Sequence, residues 1–135
     1  MPMKLARFAL AAAPLVVWAA AAAAQDAPAG DVAAGEKVFR KCAACHTLDP
    51  SGKSRVGPDL YGVVGRTTGT LEGFKYSEAM TKAGEEGHVW TVEELDLYLE
   101  NPKTMLPGNK MTFVGLKKPE ERADVIAYIQ SVSGG

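Results

Sequence analysis

The chain has 135 residues, with 15 Lys and Arg against 16 Asp and Glu, so it is nearly neutral at a net charge of −1. Nucleic-acid binding is not expected, because such proteins are usually basic with a basic face. Two cysteines and two histidines confine thiol or metal chemistry to very few positions.

The first segment carries Lys4 and Arg7, then an uncharged Ala-rich apolar run from Phe8 to Ala24, ending in small residues before the polar Gln25 and Asp26. That order reads as a secretory signal peptide over residues 1–24 with an A-x-A cleavage site. The alternative is an uncleaved membrane anchor, but the run is short against the ~20 residues of a spanning helix, and Pro14 interrupts it. Cleavage leaves 13 basic against 16 acidic residues, a net charge of −3, and chain enough for one domain with one core. Residues 25–30 read as a flexible lead-in, and residues 31–135 as the domain.

Asp31 is a plausible N-cap for a first helix, Val32 to Lys41, on the spacing of Val32, Gly35, Val38 and Phe39. Cys42-Ala43-Ala44-Cys45-His46 follows, and C-x-x-C-H is the attachment motif of haem c. Cysteines at i and i+3 share one side of a helical turn, so both thiols can add to the two vinyl groups along one porphyrin edge. The adjacent His46 is then the proximal iron ligand. A structural disulfide at this spacing closes a tiny loop and adds little stability. A thioredoxin-like redox pair wants a βαβ context, and a zinc site wants four ligands.

Residues 47–70 are rich in Gly, Pro, Ser and Asp and read as loops. Ser77 starts a short helix through Lys82, stopped near Gly84. Thr91 and Glu94 form a capping box before Leu95, Tyr98 and Leu99, in a helix that must end near Asn101 because Pro102 follows. Pro119 suits the first position of a last helix whose apolar stripe is Val125, Ile126, Tyr128, Ile129 and Val132. The fold class is therefore all-α, four to five short helices with long loops, a pattern that needs a large apolar body such as haem to pack around.

A thioether as second axial ligand would raise the reduction potential and close the iron to substrate. Met111 is preferred, because the irregular stretch Pro107–Met111 can aim a side chain at a cofactor. Met105 and Met80 are alternatives with better claims as packing residues. His88 would give a bis-His centre, but in a Gly- and Glu-rich loop it is expected to be solvated.

With these residues in view the chain resembles the class I c-type cytochromes, the bacterial periplasmic relatives of mitochondrial cytochrome c. The likeness runs through Gly35 to His46, Gly57-Pro58-Asp59-Leu60-Tyr61-Gly62, Gly65-Arg66-Thr67-Thr68-Gly69, Gly73-Phe74-Lys75-Tyr76, Trp90, Tyr98 to Lys103, Pro107 to Met111, and Ile126-Ala127-Tyr128. It implies a cytochrome c fold wrapped around one covalent haem c on Cys42 and Cys45, with His46 and Met111 as axial ligands. It further implies that the Pro58 carbonyl accepts a hydrogen bond from His46, and that Tyr98 hydrogen-bonds near the Met111 sulfur. Tyr76, Trp90 and Arg66 would hold the haem propionates, and Gly35 would let the first and last helices cross closely against Tyr128. Two departures stand out. The 83–89 loop is a few residues longer, and Asn109 and Met80 occupy positions where the family leads one to expect Thr and Asn.

The resemblance implies a monomeric electron carrier rather than an enzyme. It would work in the periplasm between membrane redox complexes, such as a quinol-cytochrome c oxidoreductase and a terminal oxidase or photosynthetic reaction centre. Lys41, Lys103, Lys110, Lys117 and Lys118 would ring the haem edge as a docking face, while acids cluster at Glu85-Glu86, Glu93 to Asp96 and Glu120 to Asp124. The plainer alternative is five independently solvated lysines. A small haem peroxidase, which needs an open distal site, and a haem-free thiol–disulfide module are the rival functions.

Overall fold

The computed structural model describes residues 29–134; the leader and most of the lead-in, residues 1–28, lie outside them, as does Gly135. The elements are α1 (Val32–Phe39), α2 (Glu78–Glu85), α3 (Val92–Glu100), α4 (Pro102–Met105) and α5 (Pro119–Ser133). Among the described residues the only β pairing is an isolated antiparallel bridge between Thr67 and Val89. The all-α expectation holds.

Local capping decides where each helix starts. The Asp31 carboxylate accepts from the Ala34 amide at 2.7 Å, and Ser77 and Thr91 do the same for Met80 and Glu94 at 3.1 and 3.2 Å. Asn101 ends α3 and caps α4 at Thr104, so Pro102 opens a single turn instead of terminating the helical path. Gly134, at φ +83°, closes α5 in the left-handed conformation.

Two helix ends differ from expectation. α1 stops at Phe39, and the chain continues through tight turns to Cys45. α2 runs through Gly84 to Glu85. Gly84 does not break it; a Cβ there would lie 1.9 Å from the Thr68 carbonyl oxygen, so glycine is needed for close approach to a neighbouring loop. The α2 exit is made by Gly87 at φ +91°.

The core joins Val38 and Phe39 of α1, Leu95 and Tyr98 of α3, and Val125, Ile126 and Ile129 of α5, with Val63, Trp90 and Leu116 from loops. α5 packs against both α1 and α3. The α1–α5 crossing is close because Gly35 has no side chain: a Cβ would fall 1.9 Å from the Asp124 carbonyl oxygen and 2.8 Å from Tyr128 Cβ. The Asp31 amide donates to the Asp124 carboxylate at 2.7 Å and fixes the same contact at its end. Arg122, only 7% exposed, joins α5 to α3 through Asp96 at 2.7 Å and donates to the Leu116 carbonyl at 2.9 Å. Its burial is tolerated because the charge is paired. Of the expected α5 stripe, Val132 is 38% exposed and lies beyond the core.

Candidate functional site

The C-x-x-C-H residues sit on one turn just beyond α1. The Cys42 carbonyl accepts from the Cys45 amide at 3.0 Å and from the His46 amide at 2.9 Å, and the Ala43 amide reaches back to Phe39 at 2.9 Å. This continues the α1 path by a turn and fixes the motif against the core. Cys42 is half-buried, Cys45 is exposed, and both are free thiols. Burial pushes the Cys42 thiol up, partly opposed by the Lys41 charge.

His46 is set by the loop that follows. Gly57 donates its amide to the Cys45 carbonyl at 2.8 Å, bringing the loop back over the motif. His46 Nδ1 lies 2.7 Å from the Pro58 carbonyl oxygen. A carbonyl only accepts, so Nδ1 carries the proton and Nε2 keeps its lone pair. Burial lowers the His46 pKa, outweighing the Pro58 bond, and this too favours the neutral ring that a metal requires.

Asp59 holds Pro58 in place. It is 1% exposed, and its carboxylate accepts from the Asp49 and Tyr61 amides at 2.7 and 2.9 Å, while its own amide donates to Ser54. The sequence reading gave Asp59 no role. Its signal is the Asx pattern, an Asp bonding the amide two residues on, directly after Gly-Pro.

Arg66, Tyr76 and Trp90 come together. The Arg66 guanidinium donates to the Asp59 carbonyl at 3.1 Å and to the Tyr61 carbonyl, so it is no free surface charge. Burial raises the pKa of the nearby Tyr76 hydroxyl, opposed by the Leu71 backbone and the Arg66 charge. The Trp90 amide donates to the Arg66 carbonyl at 2.9 Å, and the Trp90 ring packs tilted on Tyr98 with centroids 4.9 Å apart. Tyr98 is 7% exposed, and burial pushes its phenol up to about 12. Both rings are buried, and among the described residues no buried side-chain nitrogen or oxygen is left without a partner, so neither polar tip is a sealed orphan.

His88 corrects an expectation. It is half-buried and bonded at both nitrogens: Nδ1 lies 2.5 Å from Thr68 Oγ1, Nε2 lies 3.0 Å from the Glu94 carboxylate, and the ring meets Trp90 edge-on at 4.9 Å. The longer loop turns inward because Glu94, on the first turn of α3, gives the imidazole a partner.

Met111 follows α4 in an irregular stretch and packs, half-buried, on the same core as Cys42, Leu60, Val64, Leu99 and Phe113. Met80 and Met105 also pack there. Asn109 is 4% exposed, with its amide turned into the protein.

These residues fit a covalent haem. They offer two free thiols on one turn, a neutral imidazole with Nε2 uncommitted, a thioether, and the buried aromatic rings of Trp90 and Tyr98 beside them. Among the described residues there is no cluster of three or more His, Cys, Asp or Glu that could hold a metal ion. No described helix is long and apolar enough to cross a membrane.

Comparison with known proteins agrees. The family model for Cytochrome c matches residues 32–133. The chain is 51% identical over 100 residues to cytochrome c2 of Agrobacterium tumefaciens (strain II Chrys), covering 74% of this chain and 90% of that protein. It is 47% identical over 132 residues to cytochrome c2 of Rhodomicrobium vannielii, covering 98% of this chain and 99% of that protein. Among solved structures, cytochrome c2 from Rhodospirillum Centenum matches with a TM-score of 0.73 at 42% identity, covering 77% of this chain and 99% of that one. The chain thus belongs to the cytochrome c family, with that family's mostly helical fold, one covalent haem c and a role in electron transport.

Proposed function

We propose that the protein is a soluble periplasmic one-electron carrier whose haem is bonded to Cys42 and Cys45, with His46 and Met111 as the iron's axial ligands. One observation carries this reading: the 2.7 Å contact from His46 Nδ1 to Pro58, which leaves Nε2 as the free, oriented donor. Bound haem supplies reversible one-electron iron chemistry. The chain does the rest. Pro58 fixes the His46 tautomer and raises its basicity. Met111 closes the distal side to substrate, which argues against the peroxidase alternative. Arg66, Tyr76 and Trp90 provide donors for the propionates, and Tyr98 a donor toward the Met111 sulfur.

The lysines support a docking face. Lys103, Lys110 and Lys117 donate to backbone carbonyls of Asn109, Lys75 and Glu100 at 2.6, 3.3 and 2.7 Å. Such bonds hold an ammonium in place without cancelling its charge. Only Lys41 is paired, with Glu121 at 3.2 Å, and Lys118 has no side-chain bond among the described residues. A fixed basic face steers encounter with acidic faces of membrane redox complexes, and the steering fades as salt rises. The likeness to the Rhodomicrobium vannielii protein covers 98% of this chain, so it takes in most of the apolar N-terminal segment that the sequence reads as a signal peptide.

A pyridine haemochrome assay with a visible spectrum tests the reading. Haem c with a weak thioether-to-iron band in the ferric protein supports it. A high-spin ferric spectrum would favour a haem enzyme, and a protein without haem would sink both. Transfer to a membrane complex that ignores ionic strength would overturn the docking face alone.

A further inference from the structure

Three hydrogen bonds use the Asn109 side chain, and a fourth reaches its backbone carbonyl. The Asn109 amide nitrogen donates to the Pro102 carbonyl at 2.9 Å and to the Leu106 carbonyl at 2.7 Å. Its carbonyl oxygen accepts the Met111 amide at 2.9 Å. The fourth comes from Lys103, whose ammonium donates to the Asn109 backbone carbonyl at 2.6 Å. Both Asn109 amide hydrogens are therefore spent on α4 and its exit, and the oxygen on the backbone of Met111 itself.

We propose that Asn109 is the positioning residue for Met111: its amide ties the Met111 backbone to α4, so that the thioether stays on the iron and competing ligands are shut out. The proposal rests on Met111 being the distal ligand. The fully used amide is what distinguishes this site. A Thr hydroxyl, the group that the family resemblance leads one to expect here, has a single donor and cannot serve both Pro102 and Leu106. An Asp keeps the acceptor for Met111 but has no N–H for either carbonyl. The Pro102 and Leu106 carbonyls keep the Leu106 and Asn109 backbone amides, at 3.0 and 3.3 Å, but the Met111 amide loses its acceptor and must find water or move. The piece free to move is the short irregular stretch that carries Met111.

The test uses the holoprotein and imidazole as the competing ligand, read by loss of the thioether-to-iron band. Asn109→Ala and Asn109→Thr should each bind imidazole roughly tenfold more tightly or better, about what one lost hydrogen bond allows. Asn109→Asp, which retains the bond to Met111, should show a smaller gain. Gly35→Ala is the control for a purely structural role, since it disturbs the α1–α5 crossing and not this loop. If Gly35→Ala raises imidazole affinity as much as Asn109→Ala, or if every Asn109 variant stays within about twofold of the parent, the proposal is overturned. Should Asn109→Ala fail to accumulate, Asn109→Thr gives the same readout. A parent protein without the band would overturn the Met111 assignment and this proposal with it, whereas a parent with the band and unresponsive Asn109 variants would overturn this proposal alone.

Discussion

The α-carbon of Gly57 rests against the imidazole of His46: a Cβ there would lie 2.5 Å from Cε1, 2.8 Å from Nδ1 and 2.9 Å from Nε2. The glycine φ is ordinary, so the requirement is for space alone. Gly57→Ala must push the ring away or shift the loop, and either lengthens the His46–Pro58 bond of 2.7 Å. That bond makes the imidazole a stronger donor, which favours ferric iron. Weakening it should raise the reduction potential, by roughly tens of millivolts, given that 59 mV is tenfold for one electron. Redox titration checks this; a variant with the parent's potential would mean that the ring orientation is not set by this contact.

The Gly35 contact makes a simpler prediction. Alanine is worth up to ~1 kcal/mol over glycine in a helix interior. Here its methyl would meet the Asp124 carbonyl oxygen at 1.9 Å and Tyr128 Cβ at 2.8 Å, and backbone cannot step aside as a flexible side chain can. Gly35→Ala should therefore lose roughly 2–3 kcal/mol of unfolding free energy despite the better helix propensity. Denaturant unfolding measures it, and a neutral or stabilising outcome would mean that α1 slides along α5 at little cost.

Much of this was legible in the sequence where the signal is local. Asp31, Ser77, Thr91 and Pro119 mark the starts of four helices because capping needs only the next few residues. C-x-x-C-H was legible because the chemistry itself demands adjacency. Positions whose partner lies far along the chain were not legible. Gly84 read as a stop, but its partner is the Thr68 carbonyl; His88 read as solvated, but its partners are Thr68 and Glu94. Asn109 looked like a simple departure from the family pattern, and its role depends on carbonyls exposed by a one-turn helix that no periodicity announces.

The half-buried, paired setting of His88 can be tested through stability. A carboxylate only accepts, so Nε2 donates to Glu94, while Nδ1 pairs with the Thr68 hydroxyl. Thr68 is 1% exposed, so His88→Ala leaves its hydroxyl without a partner in the interior. The cost should be about 1–3 kcal/mol. His88→Ala combined with Thr68→Val removes both polar partners and should recover part of the loss. If the single variant is as stable as the parent, the loop is held by its backbone bonds alone.

Tyr98 gives the protein an alkaline stability term whose sign follows from its burial. Its phenol stays protonated in the folded chain up to about 12, against 10.0 for an unburied tyrosine. Below pH 10 the phenol is neutral in both folded and unfolded states, and stability does not depend on it. Between about 10 and about 12 the unfolded chain releases this proton and the folded chain does not, so the unfolded state gains and stability falls as pH rises. At 1.36 kcal/mol per unit, the loss across the window is roughly 2–3 kcal/mol. Tyr98→Phe has no proton to release and should escape this part of the decline. Unfolding free energies of parent and variant should therefore differ by a constant amount up to about pH 10, then shift in the variant's favour by that much toward pH 12. Tyr76, also raised by burial, remains in both proteins and cancels in the comparison. A difference that stays flat across the window would mean that the folded protein opens around Tyr98 as readily as it unfolds, and that the phenol is not sealed between Trp90 and the core.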